Sequence, residues 1–222
     1  DAAQSLGAAC RVNGEEHYVG TIGHIGCTSF FPSKNLGCFG DGGACITQDP
    51  GLAEKLKMIV THGSRQKYHN EIIGINSRLD TLQAAVLNQK IGHLNDFIKR
   101  RQQAANIYHD QLRSASFLEL PAKSPQGAHT YNQFTIRVTG ADRDELKQFL
   151  AGRGVPSMVY YPRAIHQQPA FSHVIPPNSQ SLPVTENLCR EVLSLPMHTE
   201  LKTEDIVYIS EKIIEFGKWI KE

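Results

Sequence analysis

The sequence predicts an α/β protein, in which short strands alternate with amphipathic helices. Apolar residues recur at helical spacing from Arg78 to about Leu112, with one interruption at Gly92. Residues 131–138 alternate between polar and apolar side chains, which is typical of a half-buried strand. Beyond Phe117, strand and helix patterns follow one another as β-α-β-α-β-α up to Trp219. The second half of the chain is therefore expected to form a small α/β domain.

Length and composition restrict the classes of protein. The 222 residues could form one large domain or two modest ones, and we place a boundary between residues 1–112 and 113–222. The formal net charge of +1 gives no electrostatic case for nucleic acid or an anionic membrane surface as a partner. No apolar run approaches the ~20 residues of a membrane helix, and no secretory leader is visible. The five cysteines, without a Cys-x-x-Cys pair, indicate reduced thiols of a cytoplasmic protein, most of them in the core.

The first half contains short strands, a turn signal and one capped helix. Asn13-Gly14 predicts a tight turn. The run from Ile25 to Phe31 is apolar or small, which predicts a strand covered on both faces with its two phenylalanines at the buried end. Asp49-Pro50 predicts the start of a helix over residues 52–61, and a polar loop follows over residues 64–77.

The second half is divided by turn residues and prolines. Residues 114–127 are predicted to be a linker, and the proline-rich and serine-rich residues 162–183 a long loop. The remaining patterns predict, in order, a strand over 131–138, a helix over 142–152, a strand over 155–161, a helix over 185–192, a strand over 193–196 and a helix over 203–219.

Lys34 is the residue whose surroundings most directly predict a catalytic role. Two aromatic residues and a proline precede it, and Asn-Leu-Gly turns the chain away after it. A lysine held in a stiff loop at a strand end can lose its proton through desolvation or nearby positive charge, and it then attacks a carbonyl group as an amine. The ordinary alternative is a solvated loop lysine, since lysine is rarely buried without a partner.

Three other features favour structural roles. The glycines of Gly40–Gly43 lack the spacing of a dinucleotide or phosphate loop, and positive φ angles with close strand packing explain them better. Lys99–Arg101 is most simply the solvated face of a helix. Two pairs of histidines lie seven residues apart, a spacing that does not make a metal site: His62 with His69, and His166 with His173.

Five motifs, in order, resemble the DegT/StrS-type sugar aminotransferases. They are Asp-x-x-Gln at Asp1 and Gln4, Ser-Phe-Phe-Pro-Ser-Lys-Asn from Ser29 to Asn35, Gly-Asp-Gly-Gly from Gly40 to Gly43, His-Gly at His62 and Gly63, and Gly-x-Asn-x-Arg-x-x-x-x-Gln-Ala-Ala from Gly74 to Ala85. Each motif is weak alone, but five at family-like spacing make a strong signal. The resemblance reaches about Tyr161 by motif and continues more loosely to Trp219.

The resemblance implies a fold and a division of the chain. Residues 1–112 would be the C-terminal part of an aspartate-aminotransferase-like large domain of pyridoxal-phosphate fold type I, including a long interdomain helix. Residues 113–222 would be the small C-terminal α/β domain.

The resemblance also implies pyridoxal 5′-phosphate as the cofactor. Lys34 would bind the cofactor aldehyde covalently and later move protons. Asp1 would face the ring nitrogen and keep it protonated, because the cofactor withdraws electrons only in that state. Gln4 would bind the phenolic oxygen, and Ser29 would contact the phosphate.

Other matched residues imply a homodimer with shared active sites. Asn76 would reach the partner's cofactor phosphate, and Arg78 would face the nucleotide sugar. For these two, helix capping and a surface ion pair are the alternatives. Tyr160 and Tyr161 would contact substrate from the partner, although strand-end packing explains them nearly as well. His166 receives no role.

The implied reaction is transfer of an amino group, by family habit from glutamate, to a keto sugar carried on a nucleotide. The product would serve surface polysaccharide or related amino-sugar synthesis. The sequence of residues 74–85 is most similar to that of family members acting on UDP-linked 3-keto sugars, including a 3-keto uronic acid. One alternative is a dehydratase using the same cofactor, but such relatives replace the lysine by histidine, and Lys34 argues against it. A non-catalytic regulator that senses an amino sugar is the alternative from another class.

Family members begin well before the aspartate that matches Asp1. Those preceding segments carry a phosphate-binding loop at a helix end and an aromatic residue that covers the ring. We therefore expect these 222 residues to be a fragment of a longer enzyme. Alone, the chain is expected to bind pyridoxal phosphate poorly and to show no transamination.

Overall fold

The computed structural model describes residues 1–123, 125, 127–173 and 181–220. The chain divides into two compact units. The first contains Asp1–Gln102 and Lys123–Asn132, and the second contains Gln103–Ala122 and Gln133–Glu222. The domain boundary expected after residue 112 remains a prediction.

The first unit contains hairpins and helices whose strands all pair antiparallel. Its elements are β1 (Ala9–Val12), β2 (Glu15–Tyr18), β3 (Gly26–Ser29), β4 (Gly43–Ile46), α1 (Pro50–Ile59), β5 (Ser64–Gln66), β6 (His69–Asn70), α2 (Thr81–Lys90), a 3₁₀ turn (Ile91–His93), the first part of α3 (Leu94–Leu112), whose residues from 103 onward belong to the second unit, and β8 (Gly127–Ala128). A three-stranded sheet has the order β2-β1-β8, and β3-β4 and β5-β6 form separate two-stranded ladders.

Two local signals in the first unit are confirmed. Asn13 and Gly14 adopt φ angles of 52° and 88°, as a tight turn between β1 and β2 requires. The carboxylate of Asp49 accepts the backbone N–H of Leu52 at 2.9 Å and caps α1, in which Pro50 is the first residue.

Several expectations for the first unit are wrong. The side chain of Phe31 is 50% exposed, and Cys27 and Cys45 on β3 and β4 are exposed, so this strand pair is not covered on both faces. Among the five cysteines only Cys38 is buried. The supposed loop over residues 64–77 contains the β5-β6 hairpin.

The glycines of Gly40–Gly43 have no positive φ in the described chain; close approach explains two of them. A Cβ on Gly43 would lie 2.8 Å from the carbonyl oxygen of Thr28, and one on Gly42 would lie 2.9 Å from Leu79.

The long helical pattern forms two helices, α2 and α3, joined by the 3₁₀ turn that contains Gly92. Arg101, on α3, was expected on a solvated face with Lys99. Its side chain is instead buried, and Nη1 donates to the carbonyl oxygens of Tyr131 and Asn132 at 3.2 Å each. Lys99 is exposed, as expected.

The second unit has a three-stranded antiparallel sheet with helices packed against it. Its elements besides the end of α3 are β7 (Leu118–Glu119), β9 (Phe134–Val138), α4 (Arg143–Ala151), 3₁₀ turns (Ile165–Gln167 and Pro169–Phe171), α5 (Pro183–Glu191), β10 (Val192–Leu195) and α6 (Thr203–Trp219). The strand order is β10-β9-β7. The core contains Tyr108, whose ring stacks on Phe134 at 4.8 Å between centroids.

The helix predictions for the second unit agree closely with the structure, and α6 has the bounds expected. Residues 155–161 do not form the expected strand: only Met158 bridges to Ser194, because Pro156 has no N–H to donate to a ladder. The expected linker contains the short strand β7, and residues 174–180 of the expected long loop lie outside the described residues.

Among the described residues, no helix combines the length and the apolar character that crossing a bilayer requires.

Candidate functional site

Lys34 lies in a tight turn that directly follows β3. The backbone N–H of Lys34 donates to the carbonyl of Phe31 at 2.9 Å, and the Ser29 hydroxyl accepts the N–H of Phe31 at 3.2 Å. The N–H of Cys38 then returns to the carbonyl of Phe30 at 2.8 Å. The strand end and the residue after the turn are thus hydrogen-bonded together, with the half-buried Lys34 between them.

Helix α2 holds the segment that follows Lys34. Leu36 and Cys38 are buried in one cluster with Leu87 of this helix. The Gln83 side chain accepts the N–H of Phe39 at 2.8 Å, and Lys90 donates to the carbonyl of Gly37. The backbone around Lys34 is therefore fixed by apolar packing and by two side-chain hydrogen bonds from one helix.

The segment from Asp1 to Gln4 runs beside β3. The N–H of Ala2 donates to the carbonyl of Cys27 at 2.6 Å, and the Thr28 hydroxyl donates to the carbonyl of Ala2 at 3.3 Å. The Asp1 carboxylate is exposed and accepts the N–H of Ala3 at 2.8 Å. The fold thus joins Asp1 and Gln4 to the strand that carries Ser29 and leads to Lys34.

Asn35 follows Lys34 and was not expected to have a role of its own. Its side chain is 6% exposed, and both polar atoms of its amide lack a partner within the described residues. An unpaired buried amide is costly, by roughly 1–3 kcal/mol for each group. A polar side chain directly after a candidate catalytic lysine is the sequence signal that could have singled it out.

Asn76 and Arg78 line an open cleft of about 1030 Å³ in the first unit. Arg78 Nε donates to the Asn76 side chain at 3.2 Å, and both side chains are exposed. The cleft is also lined by Cys27 and Thr28 of β3, but among the described residues Lys34 and Ser29 do not line it. The structure therefore places Asn76 and Arg78 in a cleft beside β3 whose lining does not include Lys34.

Two thiols face this same cleft. Cys27 and Cys45 are opposite each other in the β3-β4 ladder. Partial desolvation, together with the neighbouring Cys27 thiol, raises the pKa of Cys45 above its ordinary value. The sequence did not indicate this pair, because eighteen positions separate the two cysteines and only the strand register brings them together.

Tyr160 and Tyr161 belong to the second unit. Their side chains are 37% and 66% exposed, and their rings meet edge to face at 5.7 Å between centroids. His166, left without a role, lies with Nε2 3.1 Å from a carboxylate oxygen of Glu186. This pair connects a 3₁₀ turn to α5 within the same unit.

Comparison with known proteins finds relatives that match nearly the whole length of this chain. A "Pleiotropic regulatory protein" of Geobacillus stearothermophilus is 44% identical over 218 residues, covering 97% of this chain and 57% of the relative. A UDP-N-acetyl-3-dehydro-alpha-D-glucosamine 3-aminotransferase of Acidithiobacillus ferrooxidans is 43% identical over 213 residues, covering 96% of this chain and 55% of the relative. The chain thus spans a little over half the length of these relatives.

The solved structure of DesV from S. venezuelae, in complex with a ketimine intermediate, has the same fold. The TM-score is 0.90 at 40% sequence identity, over 98% of this chain and 57% of DesV. This likeness confirms the predicted fold class, an α/β chain that matches part of an aminotransferase of pyridoxal-phosphate fold type I.

The DegT/DnrJ/EryC1/StrS aminotransferase family profile matches residues 1–214, which is nearly the whole chain. The match confirms the resemblance carried by the five motifs. The chain belongs to the DegT/DnrJ/EryC1/StrS aminotransferase family.

Proposed function

We propose that this chain carries the lysine and part of the cofactor site of a pyridoxal-phosphate-dependent aminotransferase. The observation that supports the proposal most strongly is the position of Lys34. It is half-buried in a hydrogen-bonded turn at the end of β3, the strand to which the Asp1–Gln4 segment is also hydrogen-bonded. Membership of the family supports the class of reaction.

The side chains near β3 fit this cofactor chemically. The Lys34 amine suits its aldehyde, the Asp1 carboxylate its ring nitrogen, the Gln4 amide its phenolic oxygen and the Ser29 hydroxyl its phosphate. The buried, unpaired amide of Asn35 would gain from a bound polar group. When bound, pyridoxal phosphate supplies an electron sink for negative charge on the carbon that exchanges its nitrogen.

The chain's own groups would then handle protons and orientation. Lys34 Nζ would take a proton from the substrate carbon and return it, a general acid–base role for an amine held next to that carbon. Asp1 would hold the proton on the ring nitrogen through its negative charge. Both roles require the backbone on either side of β3 to stay fixed, and the hydrogen bonds of Ala2 and Cys38 supply that constraint.

The proposed substrates are a keto sugar carried on a nucleotide and glutamate as amino donor. The relative named as acting on UDP-N-acetyl-3-dehydro-glucosamine supports a UDP-linked 3-keto sugar. Arg78, exposed in its cleft, suits a phosphate or carboxylate of this ligand. Tyr160 and Tyr161 are proposed as further substrate contacts. The proposed role of the reaction is the synthesis of surface polysaccharide or a related amino-sugar product.

We propose a cytoplasmic homodimer in which each active site uses both subunits. Asn76, exposed on the first unit, would reach the partner's cofactor phosphate. Residues 1–112 would form the C-terminal part of the large domain and residues 113–222 the small domain.

A second candidate function is regulation without catalysis. It is favoured by the name of the Geobacillus relative, a pleiotropic regulatory protein that is 44% identical to this chain. A sensor of this kind could keep the fold and bind an amino sugar. A dehydratase is disfavoured because Lys34 is present.

The test measures transfer of ¹⁵N from labelled glutamate to a UDP-linked 3-keto sugar by mass spectrometry. It uses the full-length natural protein that contains residues 1–222, supplied with pyridoxal phosphate. We expect a labelled amino sugar from the natural protein and none from Lys34→Ala, while Lys55→Ala, at an exposed position of α1 outside the cleft, should keep the activity. Sugar binding without nitrogen transfer would support the regulatory function instead.

A further inference from the structure

We propose that Cys27 and Cys45 form a dithiol site that closes to a disulfide by exchange with a small disulfide such as oxidised glutathione. The two residues are direct partners in the antiparallel β3-β4 ladder, both are free thiols, and both are exposed. This proposal is independent of the aminotransferase reaction.

The strand register sets the geometry of the pair. The N–H of Phe30 donates to the carbonyl of Gly42, which makes that pair a hydrogen-bonded one. Hydrogen-bonded and non-hydrogen-bonded pairs alternate along an antiparallel ladder. Cys27 and Cys45 lie three positions away along each strand, so they form a non-hydrogen-bonded pair.

This class of pair suits a disulfide. Its Cα atoms lie about 4.5 Å apart, within the range of about 4.4–6.8 Å found across disulfides. The side chains of such a pair also point to the same face of the ladder, so the two thiols are neighbours before any reaction.

Access comes from the open cleft that both cysteines line. The other three cysteines do not offer such a pair: Cys38 is buried and donates to the carbonyls of Phe30 and Gly40, and Cys10 lies opposite His17 in its ladder. Cys189 lies in the second unit. Reaction with a dissolved disulfide should thus select Cys27 and Cys45.

The exchange balances in two steps. The Cys27 sulfur attacks one sulfur of the oxidised glutathione, and one reduced glutathione leaves with the proton of Cys27. The Cys45 sulfur then attacks the mixed disulfide at Cys27, and the second reduced glutathione leaves with the proton of Cys45. Two thiols are oxidised, and one glutathione disulfide is reduced.

The experiment treats the reduced 222-residue chain with oxidised glutathione, blocks remaining thiols by alkylation and maps the peptides by mass spectrometry. We expect the count of free thiols to fall from five to three, a mass lower by two hydrogen atoms, and a linked peptide pair containing Cys27 and Cys45. In urea, which removes the ladder, closure of this pair should slow by about tenfold or more.

Matched variants separate the site from general thiol reactivity. Cys10→Ser should leave closure unchanged, whereas Cys27→Ser and Cys45→Ala should each abolish the loss of two hydrogens. The proposal is overturned by any of three results: glutathione that stays attached to Cys27 or Cys45, linkage between two chains, or no reaction. Closure that pairs other cysteines would overturn it as well.

Discussion

At the scale of single residues, the charged side chain of Arg101 forms hydrogen bonds in the interior of the first unit. It is 7% exposed, and its guanidinium donates to two carbonyl oxygens of the segment at Tyr131 and Asn132. Tyr131 has a φ of 47°, a left-handed conformation that a non-glycine residue adopts only when its surroundings hold it there. Arg101 supplies part of that constraint.

We predict that Arg101→Ala lowers the free energy of unfolding by about 2 kcal/mol, since the charge-assisted hydrogen bonds to two buried carbonyls are lost. Urea denaturation followed by circular dichroism measures the change. Lys99→Ala, at an exposed position of the same helix, is the control and should change stability by less than about 0.5 kcal/mol. Equal stability of the two variants would contradict the role assigned to Arg101.

The sequence could predict residues whose role is local, but not those whose role depends on distant partners. Asp49 was predicted as a helix cap because its partner, Leu52, is three residues away. The partners of Arg101 lie about thirty residues along the chain, and a run of three basic residues carries no sign of them. Asn35 was missed for a similar reason, because its burial follows from packing of the lysine turn and not from spacing.

At the scale of elements, the turn that carries Lys34 depends on Gly37. A Cβ atom at residue 37 would lie 2.4 Å from the carbonyl oxygen of Pro32, closer than real Cβ contacts allow. The obstacle is backbone, so the turn itself would have to move.

We predict that Gly37→Ala opens this turn and destabilises the first unit by about 1–3 kcal/mol, as overpacking does. Amide hydrogen exchange by NMR should show faster exchange at Lys34 and Cys38, whose N–H groups close the turn. Gly92→Ala is the control, since nothing lies within 4 Å of its added Cβ. If exchange at Lys34 is the same in both variants, close packing at Gly37 does not hold the turn.

Helix α5 is tied at its first turn by Glu186. Its carboxylate accepts the N–H of Leu182 at 3.0 Å and lies beside His166. The Leu182 N–H, and after it the His166 side chain, lower the pKa of Glu186 below its ordinary value. A carboxylate whose pKa is lower in the folded state adds stability above the unfolded pKa, and this stability is lost as pH falls through the folded pKa.

We therefore predict that Glu186→Gln flattens the acid limb of the stability curve. Urea unfolding at a series of pH values from about 6 to 3 should show a smaller decrease for the variant than for the natural chain. Glu211→Gln, at an exposed position on α6, should keep the natural slope. Parallel curves for the natural chain and Glu186→Gln would rule out the stabilising role of this carboxylate.

Most helices were predictable because their apolar period and end signals are local, as for α4 and α6. The strands were harder, because a ladder needs a partner as well as a pattern. Residues 155–161 have the composition of a strand but make one bridge only, at Met158. The hairpin β5-β6 was missed since its residues are polar and exposed.

At the scale of the whole molecule, five short motifs were enough to predict the family, which the match over residues 1–214 confirms. They placed Lys34 at the end of a strand, and the structure adds that the Asp1–Gln4 segment is hydrogen-bonded to that strand. They could not show that Asn76 and Arg78 line a cleft without Lys34, because that requires the three-dimensional path of the chain.

We predict that mixing Lys34→Ala and Asn76→Ala subunits of the full-length natural protein restores activity. Each heterodimer has one intact site, because one subunit supplies Lys34 and the other supplies Asn76. After random exchange about half of the dimers are heterodimers, and one of the two sites in each heterodimer is intact. Recovery should therefore reach about one quarter of natural activity. The measurement is amino transfer after subunit exchange verified by native mass spectrometry. No recovery would mean that each subunit contains a complete site.

The most direct measurement of the central claim is chemical trapping of the cofactor on the 222-residue chain. Pyridoxal phosphate is added, the covalent link is fixed with borohydride, and the labelled peptides are identified by mass spectrometry. Trapping records a covalent link even when binding is weak. We predict that the label concentrates on Lys34, disappears from that peptide in Lys34→Ala and is retained in Lys57→Ala. A label spread evenly over the lysines of the natural chain would contradict the account.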